Sequence, residues 1–139
     1  MRKLAVRAGL ALAIAAASGS ALAHHSFAIF DSGKLVTLNG TVKEFQWTNP
    51  HSVAWVQGAL SSGGAPQLWA LELTAPSSLT RMGWDKRSLK PGDQVSVEIN
   101  PLRDGSAGGA LKKVTFRPSG AVLTTHSILS QPLKRGATE

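Results

Sequence analysis

Between Leu35 and Arg117, apolar residues recur at every second position in five separate runs, and the period changes only once. A period of two marks a strand with one buried face, so the rhythm commits the chain to β-structure. The first run, Leu35–Trp47, sets Val36, Leu38 and Val42 on one face and Thr37, Thr41 and Lys43 on the other. Gly40 lies in its middle, where a bend or bulge is expected. Thr48-Asn49-Pro50 breaks the run with turn residues. The second run, Ser52–Ala59, alternates Val53, Trp55 and Gln57 with Ala54 and Val56, and Ser61–Pro66 reads as a flexible hairpin loop. The third, Gln67–Thr74, sets Trp69, Leu71 and Leu73 opposite Glu72. The period then lengthens. Ala75–Met82 predicts a short helix, with Pro76 in the first turn, Ser77 or Thr74 as cap, Gly83 as stop, and Leu79 and Met82 on one face. After a Lys90-Pro91-Gly92-Asp93 turn, Gln94–Asn100 and Ala110–Arg117 complete the set, followed by a short extension at Val122–Thr124. Strand, strand, strand, helix, strand, strand is the order of a small all-β, five-stranded OB-like barrel with one short helix between strands 3 and 4. An immunoglobulin-like sandwich needs about seven strands.

The N-terminus is of a different kind. Residues 1–23 read as a signal peptide: Arg2, Lys3 and Arg7 form the basic start, residues 8–17 the apolar stretch, and Ala21-Leu22-Ala23 the small-x-small cleavage site. The apolar stretch is too short to span a bilayer, which takes about 20 residues, so no stable membrane span is expected after cleavage. The expected organisation is signal peptide 1–23, barrel domain 24–125 and polar tail 126–139. Cleavage removes three of the 15 basic residues and none of the 8 acidic ones, lowering the net charge from +7 to +4. That is an ordinary value for a soluble domain. With no basic tract and with export, nucleic acid is not an expected partner. The absence of cysteine excludes a disulfide scaffold, a thiolate metal site and a cysteine nucleophile.

Several segments occur in a characteristic order: Ala23-His24-His25-Ser26-Phe27, Phe45-Gln46-Trp47-Thr48-Asn49-Pro50-His51, Trp69-Ala70-Leu71-Glu72, Leu79-Thr80-Arg81-Met82-Gly83-Trp84 and Leu89-Lys90-Pro91-Gly92-Asp93. Together they resemble a family of small exported bacterial proteins catalogued as domain of unknown function 6152. The likeness covers about residues 23–125. It implies export, here to the periplasm, and one small β-domain; it implies no activity.

The histidines carry the most chemistry. Cleavage after Ala23 makes His24 the first residue, where its α-amine and imidazole can close a chelate ring on a metal. A second imidazole from His51 completes three nitrogens, an arrangement suited to copper as Cu(II). The amine has a reference pKa of about 7.7–8.0, so binding displaces a proton. His25 is the substitute ligand, since a second-position histidine also coordinates copper together with the amine. The bland alternative is a solvated histidine pair and a turn-capping His51; His126, near the tail, carries little weight.

The tryptophans, Trp47, Trp55, Trp69 and Trp84, form a second constellation. Trp69 reads as core. Trp47 and Trp84 stand at element ends and, with Asn49, Glu72 and Arg81, suggest the alternative function: a metal-free periplasmic module that binds a protein or small ligand at the barrel mouth. Glu72 reads first as an outward-facing strand residue. Its other readings are a general base, a carboxylate partner of a histidine, or an ion-pair partner of Arg81. Ser26, Ser52 and Ser127 neighbour histidines only in sequence, and no known catalytic motif is present, so catalysis is not expected.

Overall fold

The computed structural model describes residues 28–125. The expected signal peptide, His24, His25, His126 and the tail lie outside them. Six strands and one helix follow in the order β1 (Val36–Gln46), β2 (Val53–Leu60), β3 (Gln67–Glu72), α1 (Pro76–Arg81), β4 (Gln94–Pro101), β5 (Gly108–Arg117) and β6 (Val122–Thr124). Neighbours run β3-β2-β1-β4-β5-β6, and a parallel pairing of β3 with β5 closes five of the strands into a barrel. The expected OB-like arrangement, with its helix between the third and fourth strands, is the one found.

The alternation explains the core. Leu38, Val42, Ala54, Val56, Leu71, Val95, Val97, Ile99 and Val114 point inward and are at most 1% exposed. Trp69 joins them and anchors its indole Nε1–H to the Gly58 carbonyl at 3.1 Å. The polar partners of the alternation, such as Thr37 and Glu98, pair across the outside of β1 and β4.

Two local expectations need correction. The irregularity in β1 lies between Val42 and Glu44, not at Gly40. Lys43 is the extra residue, so Lys43 and Glu44 are both exposed and Phe45 turns back toward the core. Gly40 faces Gly58 across the sheet. A Cβ on either would collide with the opposite backbone, at Gln57 or Asn39 respectively. Gly40 therefore serves close approach of β1 and β2 rather than a bulge. The helix also lacks the expected side-chain cap: its N-cap is Ala75, without a side-chain hydrogen bond. Ser77 is already the second residue of the helix, two past the N-cap, and Thr74 lies one residue before the N-cap in the chain leaving β3. Gly83, at φ +87°, ends the helix as expected.

The segment before β1 packs on the barrel. Phe30 is buried and bridges to Leu102. Asp31 N–H donates to Pro101 O at 2.8 Å, and Arg103 donates from its backbone to Ile29 O at 2.9 Å and from Nε to Ala28 O at 3.0 Å. Buried Asn100 donates to Lys34 O at 2.7 Å.

Candidate functional site

The site grows out of the end of the β2–β3 ladder. Val53 pairs with Glu72. The ladder continues past the strand, with Leu73 N–H donating to Ser52 O at 2.8 Å and Ser52 N–H donating to Thr74 O at 3.2 Å. His51 is thus held in an extended path, diagonal to Glu72 on the same face, a separation that long side chains bridge. Thr48 Oγ1 donates to His51 O at 3.1 Å and ties down the loop before it. The outcome is a close polar contact between His51 Nδ1 and Glu72 Oε1, with both side chains 30% exposed. Glu72 does face outward from the barrel interior, as alternation predicts, and its partner there is His51 rather than Arg81, which stands exposed at the end of α1.

His51 and Glu72 border a cavity of about 300 Å³ that is also lined by Phe30, Leu73, Thr74, Ser78, Met82, Leu111, Lys112 and Thr125. Its floor is fixed: Thr125 Oγ1 donates to Leu111 O at 2.7 Å, and Thr125 N–H donates to Lys112 O at 3.0 Å. Ser52 is fully buried and lies on the opposite side of the extended chain from His51, so the pair is no nucleophile and base. Among the described residues, no group of three or more His, Asp or Glu side chains could hold a metal ion.

The tryptophan platform does not survive. Trp84 is 1% exposed. Its backbone N–H donates to Leu79 O at 3.1 Å, so the chain leaving Gly83 turns inward. The indole Nε1–H then donates to Thr124 O in β6 at 2.7 Å. Trp84 is a core residue, covered by a strand that lies 40 positions later in the chain. Trp47 is half-buried and stands edge-on to Phe45 at 5.7 Å, while Phe45 reaches Trp84 at 6.2 Å. Of the residues expected to form the mouth, Asn49 and Arg81 are exposed, Trp47 keeps part of one edge, and Glu72 belongs to the histidine. Phe30, Met82 and Lys112 also belong to the site and are not expected there from their local sequence. The order of elements was the available signal, since it brings the chain before β1, the end of α1 and β5 beside β3.

A family model described as a family of unknown function, DUF6152, matches residues 11–112. The chain belongs to that family. The match takes in β1 to β4 and α1 and ends within β5, and it includes the segments that carry His51, Glu72 and Met82. No curated protein and no solved structure matches this DUF6152 chain. Among the described residues, no helix is long and apolar enough to cross a membrane.

Proposed function

We propose that this protein is exported to the periplasm and binds copper, with the α-amine and imidazole of His24 and the imidazole of His51 as ligands and His25 as substitute. The observation that carries the reading is the pairing of His51 Nδ1 with Glu72 at the edge of the cavity. A metal-binding histidine characteristically gives one ring nitrogen to a carboxylate, which fixes the tautomer and strengthens the other nitrogen as a ligand. Phe30 supports the reading from the other side. It lines the same cavity, and His24 stands six residues before it. An extended chain spans up to about 3.3–3.6 Å per residue, or about 20 Å in all, ample to return the N-terminus to His51. Bound copper would supply a Lewis-acidic and redox-capable centre; the chain contributes the nitrogen donors, the Glu72 clamp and the apolar wall of Phe30, Leu73 and Leu111.

The test is a Cu(II) titration, followed by electron paramagnetic resonance, of protein that begins at His24 without a tag. One equivalent with a nitrogen-rich signal is expected, lost when a glycine precedes His24 and weakened by His51→Ala. Glu72→Gln should lower affinity about 10–100-fold through the histidine it orients. Binding that ignores both the added glycine and His51 overturns the reading.

A further inference from the structure

The helix presents two different stripes. Leu79 is fully buried in the core, whereas Ser78 and Met82, four apart and therefore stacked on one face, both line the His51 cavity. Met82 is held there by its position at the C-cap, where its backbone N–H donates to Leu79 O at 2.9 Å. A thioether thus shares a cavity of about 300 Å³ with the Glu72-paired imidazole. The thioether is a soft donor of the kind that selects Cu(I), and imidazole serves copper beside it. Phe30, Leu73 and Leu111 make an apolar wall beside the pair, and the cavity takes one charge of each sign, from Glu72 and Lys112, so the selection rests on the sulfur.

We propose that the cavity holds Cu(I) through the Met82 thioether and the His51 imidazole. This inference rests on the preceding reading for the metal and for His51, and needs neither His24 nor its amine. Met82 then decides which oxidation state the cavity retains, while the N-terminal amine serves Cu(II).

The sequence makes the test unusually clean. The chain has no cysteine and two methionines, Met1 and Met82, so a chain starting at His24 contains a single sulfur atom. Any sulfur scatterer in the copper X-ray absorption spectrum of the Cu(I)-loaded protein is Met82. The expected result is such a scatterer, together with Cu(I) affinity, measured anaerobically against bathocuproine disulfonate, that falls by about tenfold or more in Met82→Leu. Met82→Leu conserves volume and costs less than about 1.5 kcal/mol of stability, which a thermal melt verifies; the scattering measurement on the unaltered chain requires no variant. Absence of the sulfur scatterer, or Cu(I) affinity indifferent to Met82→Leu, overturns the inference. The two proposals fail separately. A glycine ahead of His24 should abolish amine-dependent Cu(II) binding and leave Cu(I) binding intact. If Cu(II) binding ignores that glycine while Cu(I) still depends on Met82, the N-terminal reading fails and this one stands.

Discussion

Trp84→Ala removes the largest side chain that the barrel encloses. Three losses coincide. The indole is 1% exposed, so nearly its whole surface returns to a cavity or to water. Its Nε1–H bond to Thr124 O, at 2.7 Å, disappears, at a net cost of about 1 kcal/mol. The tilted contact with Phe45 at 6.2 Å goes too, worth about 0.5–1.5 kcal/mol beyond area. Measured truncations of buried tryptophan total about 3–5 kcal/mol, with these contributions included. Against a domain stability of about 5–15 kcal/mol, that is a large share. For a domain of about 100 residues each kcal/mol moves the melting temperature by about 4–8 °C, so Trp84→Ala should melt at least about 12 °C lower. Trp47→Ala is the comparison, since Trp47 is half-buried and meets Phe45 by an edge; about 1–2 kcal/mol is expected for it. Circular dichroism melts and urea titrations of both variants decide the matter. A surface platform would make the two substitutions equivalent and nearly neutral. A loss below about 1 kcal/mol for Trp84→Ala, or equal losses for both, refutes the assignment of Trp84 to the core.

Gly58→Ala places a methyl group against Asn39 O and 2.7 Å from Gly40 Cα. Because the obstacle is backbone on both counts, it should cost at least about 1–3 kcal/mol, and a urea midpoint equal to that of the unaltered chain would count against the close approach of β1 and β2. Asp104 accepts bonds from both the hydroxyl and the backbone N–H of Ser106, the hydroxyl being the larger cause, and these hold its carboxyl below the ordinary value of 3.8. The unfolded chain therefore takes up this proton at higher pH than the folded chain does. The stabilisation is complete above about pH 4 and is lost as pH falls through the depressed folded value. Asp104→Asn should flatten that part of the pH–stability curve, and urea midpoints compared at pH 5 and pH 2.5 show whether it does.

The strands were legible because alternation is local. Trp69, Leu71 and Leu73, and Val95, Val97 and Ile99, announced their faces directly, and all six are buried. The bulge in β1 was legible in principle. Val42 and Phe45 are three apart in a run of period two, so one of the intervening residues had to be extra; the neighbouring glycine drew the expectation away. The site was legible only by halves. His51 and Glu72 could each be singled out by type, yet their meeting depends on the Val53–Glu72 register, which no local pattern carries. Trp84 was misjudged for the same reason. Its short-range context, beside Gly83 at a helix end, reads as surface, and the strand that covers it arrives much later in the chain. Met82 reads as an apolar residue sharing a face with Leu79; both touch the core, and Met82 alone of the two also lines the cavity.

The closing pairing of β3 with β5 has a mechanical consequence. It joins Ala70, Leu71 and Glu72 to Gly108, Gly109 and Ala110 and nothing more, whereas β1 meets β2 along nearly its whole length. A cylinder held by one short clasp yields first at the clasp. The last link of that clasp is Glu72 with Ala110, and both border the cavity. An occupant of that cavity therefore braces the seam, because the lining takes Glu72 and Leu73 from one side and Ala110, Leu111 and Lys112 from the other. Loading it should slow amide exchange at Ala70–Glu72 and Gly108–Ala110 more than anywhere on the long β1–β2 wall, so that the barrel itself reports whether its cavity is filled.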